Sequence, residues 1–209
     1  MVEYPSIINS SKAPRKHCFA FDKLDGSNIR VKYNPKTGFN LFGSRHALID
    51  ETHPHLHEVI PYFNNNLANQ LTSIFKKHFY TEQEIIVFGE FFGTQSFAGM
   101  HNPTDSKKFV MFDVLLGKKN RKFIPPNEFI KLFDGIVEIP RLVYTGNLND
   151  EFIADVRKGK YGVDEGVICK GTEKSGAFMG GIWQCKIKSE AYLQKLQTVH
   201  GKDWVKYWE

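Results

Sequence analysis

Apolar and polar residues alternate over residues 29–33, where Ile29, Val31 and Tyr33 alternate with Arg30 and Lys32. Residues 34–38 then supply the Asn, Pro and Gly of a turn before apolar residues resume at Phe39. A period of two around a turn predicts a β-hairpin. The hairpin places Lys23 just upstream of a strand.

A helical period follows the hairpin. Apolar residues recur at helical spacing from Leu56 to Phe75, although Pro61 is expected to break or restart this helix. Further helices are predicted over residues 127–133, 151–158 and 190–199, the last with Ser189 as its N-cap. We expect these helices to be amphipathic elements that cover a sheet.

Short apolar runs between the helices are typical of buried strands. Residues 85–88, 109–116, 137–144 and 166–170 are rich in β-branched or aromatic side chains. The mixture predicts an α+β fold built on largely antiparallel sheets flanked by helices. We expect one main domain over residues 1–188 and a short helical extension over residues 189–209.

Composition adds modest constraints. Lysine and arginine number 28 against 23 acidic residues, a net charge of +5 that suits a polyanionic partner, and a hydrophobic content of 41% can fill a sizeable core. Cys18, Cys169 and Cys185 have neither the number nor the spacing of a disulfide framework or a zinc site. Without a signal pattern or an apolar membrane span, the chain is expected to be soluble and cytoplasmic.

The segment from Lys23 to Asn28, with sequence KLDGSN, carries the first candidate chemistry. A lysine amine attacks phosphorus only when it is deprotonated, which requires nearby cations or desolvation. Gly26 permits close approach of a ligand, and Ser27 and Asn28 add hydrogen-bonding groups. Alone, the segment also fits a solvated turn before a hairpin, so the hypothesis of a nucleotide loop needs support from elsewhere in the chain.

Four more blocks follow in a fixed order: residues 88–93 (FGEFFG), 109–114 (FVMFDV), 165–170 (EGVICK) and 186–188 (KIK). This ordered set resembles motifs I, III, IIIa, IV and V of the covalent nucleotidyltransferase superfamily, which contains ATP-dependent ligases and mRNA capping enzymes. Asn28, where DNA ligases and capping enzymes usually carry arginine, makes the chain most similar to RNA ligases of the RNA ligase 2 type.

The resemblance implies a nucleotidyltransferase fold with the nucleotide held between its sheets. It implies that Lys23 takes AMP from ATP, that AMP passes to an RNA 5′-phosphate, and that a 3′-OH displaces it, with Mg²⁺ or Mn²⁺ as cofactor. Alternatives are an mRNA guanylyltransferase that uses GTP, the catalytic domain of a DNA ligase, and a non-catalytic nucleotide- or RNA-binding module.

The resemblance also assigns a role to individual residues. The catalytic set is Lys23, Glu165, Lys186 and Lys188, with Glu165 also holding the metal ion. The nucleotide-binding set is Asp22, Asp25, Asn28, Glu90, Phe112 and Lys170, with Phe112 stacking on adenine and Phe109 as its competitor. Arg45 is expected to bind the 5′-phosphate of RNA, since arginine suits bidentate phosphate contacts.

Two features remain outside these motifs. His53, His55 and His57 are read as a solvated loop rather than a metal site. Only residues 189–209 follow the last motif, with Trp204, Tyr207 and Trp208 near the end, which leaves no room for an OB-fold. We therefore expect a minimal RNA ligase that acts in RNA repair, or one that relies on an end-healing or RNA-binding partner protein. Its substrate could be nicked duplex RNA, single-stranded RNA, a tRNA break or an RNA/DNA hybrid.

Overall fold

The computed structural model describes residues 1–92, 106–174 and 178–207. The chain forms two compact units, each built from segments that are separate in sequence. Unit 1 comprises residues 1–5 and 25–139, and unit 2 comprises residues 6–24 and 140–209. The predicted division into residues 1–188 and 189–209 stays a prediction.

Unit 1 is built on an antiparallel sheet of six strands in the order β5-β4-β3-β6-β7-β8. The strands are β3 (Ser27–Asn34), β4 (Gly38–Ser44), β5 (Leu48–Ile49), β6 (Ile85–Phe92), β7 (Lys108–Leu116) and β8 (Lys122–Phe123). Strands β3 and β4 confirm the predicted hairpin, and β6 and β7 confirm the apolar runs at 85–88 and 109–116. One face of this sheet is apolar along β3 and β6, and the other carries Asn28, Arg30, Lys32 and Glu90.

Three helices cover the apolar face of the unit 1 sheet: α1 (Val59–Asn66), α2 (Ala68–His78) and α3 (Pro126–Phe133). Their buried side chains, including Phe63, Leu71 and Phe133, form one core with the strands. Of the expected break or restart at Pro61, the restart is confirmed. Helix α1 begins at Val59 with Pro61 in its first turn, where the missing N–H costs nothing, whereas the interruption at Leu67 between α1 and α2 was not predicted.

Unit 2 is built on a five-stranded sheet in the order β1-β11-β10-β2-β9, antiparallel except for the β1–β11 pair. The strands are β1 (Ile8–Asn9), β2 (His17–Asp22), β9 (Leu142–Asn147), β10 (Gly166–Lys174) and β11 (Ile182–Lys188). The strand predicted over 137–144 is wrong in its first half, because β9 begins only after Pro140 and Arg141.

Helix α4 (Asp150–Arg157) packs on the apolar face of the unit 2 sheet with Trp183 and the three buried cysteines. Asn149 caps α4 by accepting a hydrogen bond from the Phe152 amide. The predicted C-terminal helix is confirmed as α5 (Glu190–His200), and a 3₁₀ helix (Gly201–Tyr207) follows it. Among the residues that the structure describes, no helix is long and apolar enough to span a membrane.

Candidate active site

A chain of ion pairs in unit 2 joins three of the predicted catalytic residues. Lys23 Nζ lies 2.5 Å from Glu165 Oε2, and Lys188 Nζ lies 3.7 Å from Glu165 Oε1. The side chain of Glu165 is only 4% exposed and that of Lys188 only 9%, whereas Lys23 keeps 22%. One buried carboxylate therefore contacts two lysine side chains, and the lysine predicted to be the nucleophile is the one nearer to solvent.

Backbone contacts fix the carboxylate and the lysine relative to each other. The Lys23 amide donates to the Gly166 carbonyl oxygen at 2.9 Å, immediately after Glu165. Gly166 has φ of 144°, and a Cβ there would overlap the Ile187 carbonyl oxygen of the neighbouring strand. Glycine is therefore required at this position by both conformation and close approach.

Ser189 secures the same region from the other side and was predicted only as a helix cap. Its hydroxyl donates to the Asp164 carbonyl oxygen at 2.8 Å, its amide donates to the Glu165 carbonyl oxygen at 2.9 Å, and its Oγ accepts from the Tyr192 amide at 3.1 Å. Ser189 is 2% exposed. Ser189 thus joins the start of α5 to the backbone that presents Glu165.

The remaining predicted lysines lie on the same face of the unit 2 sheet. In the register of β10 and β11, Lys170 is opposite Gln184, Ile168 is opposite Lys186, and Gly166 is opposite Lys188. Alternation along β11 places Lys186 and Lys188 on one face, as predicted. Lys170 is buried, with its ammonium 5.4 Å from the centroid of the Phe21 ring. We call this the lysine face of unit 2.

Asp22, the residue before Lys23, has a partner that the sequence did not reveal. Arg141 Nη2 lies 3.6 Å from Asp22 Oδ2, and the Asp22 amide donates to the Arg141 carbonyl oxygen at 2.9 Å. Burial raises the pKa of Asp22, and the Arg141 guanidinium only partly opposes this rise. Arg141 also donates to the carbonyl oxygens of Tyr161 and Gly162, so it ties Asp22 to the turn before Glu165.

In unit 1, the predicted ribose and base contacts share one face of the sheet. Asn28 on β3 lies directly opposite Glu90 on β6. A Cβ at Gly26 would lie 3.1 Å from Glu90 Cβ and 3.2 Å from Glu90 Oε2, so glycine allows the loop to pass close to Glu90. The Asn28 side-chain oxygen is buried and accepts no hydrogen bond from the described residues. A buried oxygen without such a bond can accept a hydrogen bond from a bound ligand.

The two candidate stacking residues have different surroundings. Phe109 is 1% exposed and belongs to the core under α1, in edge contact with Phe63. Phe112 is half-buried on the opposite face of the sheet, where the Tyr4 ring meets it edge-on at 5.0 Å. Tyr4 is fixed in turn by a hydrogen bond from its hydroxyl to Asp113. Of the two rings, Phe112 is the one with surface to offer a base.

Other predicted residues lie on connections. Arg45 is exposed in the turn between β4 and β5, and Asp25 is half-buried between β2 and β3. The His53 ring nitrogen Nδ1 accepts from the Leu56 amide at 3.1 Å, and His57 Nδ1 lies 2.8 Å from the His53 carbonyl oxygen, so these histidines stabilise their own turn. Gly93 and Trp208 lie outside the described residues.

A divalent cation fits the residues present in unit 2. Mg²⁺ is usually held by one or two carboxylates together with water and phosphate oxygens. Glu165 provides one buried carboxylate among lysines that could bind the phosphates, and the described residues contain no cluster of three or more His, Cys, Asp or Glu that would form an all-protein cage. Glu165 is the residue that would hold such a cation.

Comparison with protein-family models gives one match that covers most of the chain. The model described as RNA ligase matches residues 16–186, which include Lys23, Glu90, Glu165 and Lys186. The chain belongs to the RNA ligase family. A search of curated proteins found no match for this family member.

Solved structures share its fold. Naegleria gruberi RNA ligase variants bound to ATP and Mn, and to AMP and Mn, superpose with TM-scores of 0.68 and 0.67 at 17% and 16% identity. Each match covers 93% of this chain and 58% of the other. An archaeal ATP-dependent RNA ligase gives a TM-score of 0.65 at 17% identity over 96% and 52% of the two chains. This RNA ligase family member thus spans little more than half the length of these proteins, and the likeness establishes its fold.

Proposed function

We propose that this chain is an ATP-dependent RNA ligase that works through a covalent lysine–AMP intermediate. The observation that carries the proposal is the contact between Lys23 Nζ and the buried Glu165, with Lys188 on the other carboxylate oxygen. A lysine held beside a carboxylate and further lysines combines a nucleophile with the charges that bind phosphates. Membership of the RNA ligase family supports this reading, as do the solved structures of the same fold that contain ATP or AMP.

In the first step, Lys23 Nζ attacks the α-phosphorus of ATP. A bond forms between this nitrogen and phosphorus, the bond from phosphorus to the bridging oxygen breaks, and pyrophosphate leaves. The amine must give up its proton before attack, and Lys23 Nζ lies against the Glu165 carboxylate, which it must leave to reach phosphorus. A divalent cation at Glu165 would supply positive charge to the phosphates and compete with Lys23 for the carboxylate.

The other residues of the lysine face act on the phosphates by charge and position. Lys186 and Lys188 lie on one face of β11, and Lys188 is fixed by Glu165 and by the Tyr192 ring, 5.2 Å from its ammonium. We assign both lysines to the α-phosphate. Lys170 lies two residues along β10 from Ile168, the residue opposite Lys186, and therefore on the same face of the sheet. We assign Lys170 to the nucleotide phosphates as well.

Recognition of the adenosine is assigned to unit 1. Glu90 is proposed to accept hydrogen bonds from the ribose hydroxyls, and Asn28 to accept one from the nucleotide through its buried oxygen. Phe112 is proposed to stack on adenine, since its ring is half-buried on the polar side of the sheet. Asp22 and Asp25 flank Lys23 and are proposed to position the loop.

In the second step, an oxygen of an RNA 5′-phosphate attacks the phosphorus of lysine–AMP and releases the Lys23 amine, which gives an AMP-capped RNA end. In the third step, a 3′-OH attacks the 5′-phosphorus and AMP leaves. Arg45 is proposed to bind the 5′-phosphate, because an exposed guanidinium in a turn can reach a phosphate bidentately. Dependence on an end-healing or RNA-binding partner protein, and sealing on an RNA/DNA hybrid, are both compatible with this chemistry.

Label transfer tests the proposal directly. The protein is incubated with Mg²⁺ or Mn²⁺ and ATP labelled at the α-phosphate, and an acid-labile label on Lys23 is expected, followed by sealing of nicked RNA. Sealing of nicked DNA in preference to RNA, or labelling by GTP in preference to ATP, would contradict the assignment. No label with either nucleotide would overturn it and favour a binding module.

A further inference from the structure

A strongly basic patch lies at the end of the unit 1 sheet where β6 begins and β7 ends. Residues 76–84 and 117–122 contain six lysines or arginines and two glutamates. The basic residues are Lys76, Lys77, Lys118, Lys119, Arg121 and Lys122. These two short segments hold a large part of the excess charge of a chain whose net charge is +5.

The two segments are joined in space. The Gly117 amide donates to the Glu84 carbonyl oxygen at 2.9 Å, and the Glu84 carboxylate lies 3.6 Å from Arg121 and 3.2 Å from Lys32. Gly117 has φ of 89°, which allows the tight turn at the end of β7. Because Glu84 is engaged by these two cations, it does little to neutralise the surrounding lysines.

Between the segments lies a cavity of about 480 Å³. Its walls include Lys118, Lys119 and Lys122 and one acidic residue, Glu82, so the lining carries a net charge of about +2, with Thr81, Gln83 and Asn120 as further polar groups. The three lysines are exposed, and no ion pair is recorded for them within the described part of the chain. Tyr80, next to this cavity in sequence, exposes 77% of its surface. Exposed lysines with an exposed aromatic ring suit a polynucleotide strand, since phosphates meet the ammonium groups and a base can stack on the ring.

We infer that the cavity lined by Lys118, Lys119 and Lys122 binds the phosphate backbone of the RNA substrate at a distance from the reacting end. The inference rests on the proposed function, since it takes RNA as the substrate. Glu84 and Glu90 lie at opposite ends of β6, and five strand steps from Ile85 to Glu90 span about 17 Å. Successive phosphates advance about 3.4 Å along a duplex, so the patch lies about five nucleotides from the level of Glu90.

The test compares RNA binding by wild type and by the triple variant Lys118→Ala/Lys119→Ala/Lys122→Ala. Fluorescence anisotropy with a labelled RNA of about 20 nucleotides, from about 50 to 200 mM salt, should show binding about tenfold weaker at low salt. The slope of log K against log salt should fall by about 2, since each single-strand phosphate contact contributes about 0.7.

Two further variants separate the patch from general charge and from folding. Lys36→Ala/Lys158→Ala/Lys195→Ala removes the same charge from exposed positions on other elements and should retain the wild-type slope. The triple Lys→Arg variant at 118, 119 and 122 should retain binding, and all variants should unfold within about 2 °C of wild type. Tyr80→Ala should weaken single-stranded RNA binding about fivefold.

Self-adenylylation distinguishes the two proposals. Transfer of label from ATP to Lys23 should be the same in wild type and in the triple alanine variant. If wild type is not labelled at all, that result counts against the proposed function and not against the patch. Equal RNA affinity and slope in wild type and the triple alanine variant would overturn the inference. The inference would also be overturned if the triple alanine variant bound RNA as wild type does but no longer bound phosphatidylserine vesicles or an acidic peptide.

Discussion

The lysine face of unit 2 and the polar face of unit 1 place their functional groups by different physical means. Glu165, Lys170 and Lys188 of unit 2 are all less than 9% exposed, and Glu165 is fixed by direct ion pairs with Lys23 and Lys188. Asn28 and Glu90 of unit 1 are placed by strand register, with Gly26 close beside them. The comparison teaches that direct ion pairs join the proposed reacting groups, whereas strand register brings the proposed recognition groups opposite each other.

The strongest test of this difference removes Lys23, the proposed nucleophile. Lys23→Ala and Lys23→Arg should both lose AMP loading by more than about a thousandfold, because neither side chain offers an attacking amine. Labelling with α-phosphate-labelled ATP gives the measurement. Lys12→Ala, at another exposed lysine, serves as the control and should load normally. Substantial labelling of Lys23→Ala would mean that another residue is the nucleophile.

Replacing the shared carboxylate tests whether the unit 2 residues act as one charged group. Glu165→Gln should lower AMP loading by about 10²–10³, and it should lower the free energy of unfolding by about 3 kcal/mol, because Lys188 stays buried without its partner. Single-turnover labelling and chemical denaturation report the two effects. Glu51→Gln, at an exposed turn, should change neither. Retained stability in Glu165→Gln would show that the ion pairs contribute little.

Arg45 sharpens the distinction between loading and transfer. Arg45→Ala should load AMP normally and transfer it to an RNA 5′-phosphate about 10–100-fold more slowly, since only the second step uses the RNA end. Chasing the labelled enzyme with 5′-phosphorylated RNA measures this step. Arg45→Lys should recover part of the rate through its charge. Equal loss of loading and transfer would place Arg45 in the nucleotide site instead.

Within unit 1, the two phenylalanines should respond in opposite ways. Phe112→Ala should raise the KM for ATP about tenfold, with a smaller loss of stability, because it removes a stacking surface. Phe109→Ala should lower the free energy of unfolding by about 3–5 kcal/mol, because the ring is buried against Phe63. Labelling kinetics and denaturation curves separate the two. A raised KM confined to Phe109→Ala would exchange the roles.

The smallest expected effect concerns Asp22. Burial raises the pKa of this carboxyl, so the folded state favours its protonated form at low pH and loses that stabilisation as the pH rises through the folded pKa. Asp22→Asn should therefore gain stability relative to wild type as the pH rises from the ordinary carboxyl pKa, near about 4, through the raised pKa of the folded state. Thermal unfolding across this range measures the difference. A constant difference at every pH would contradict the raised pKa.

The sequence predicted those parts of the fold whose determinants are local. The alternation over 29–33 and the Asn-Pro-Lys-Thr-Gly turn carry their own signal, and β3 and β4 followed it. Ser189 was recognised as a helix cap for the same reason. The interruption between α1 and α2 at Leu67 was missed, because no proline or glycine marks it, and the late start of β9 was mispredicted, because Pro140 and Arg141 precede the strand.

The site could be predicted only as a set of motifs. The order of the blocks brought Lys23, Glu165 and Lys188 into one hypothesis, but the sharing of one carboxylate by both lysines depends on pairing between β10 and β11. Arg141 carried no signal at all, since its role arises from contacts with Asp22 and with carbonyl oxygens twenty residues away. The choice between Phe109 and Phe112 required knowing which face of β7 the helices cover.

The boundary between the units passes between Leu24 and Asp25, inside the segment that contains Lys23, and again between Ile139 and Pro140. Apart from residues 1–5, unit 1 is therefore inserted, in sequence, between two parts of unit 2. Strand β2 has its partners β9 and β10 only after all of unit 1 has been made. During synthesis β2 must wait unpaired while the inserted segment emerges, and closing so long a loop favours slow folding of unit 2. Competence to accept AMP should consequently arise late, as one of the last events in the maturation of the nascent chain.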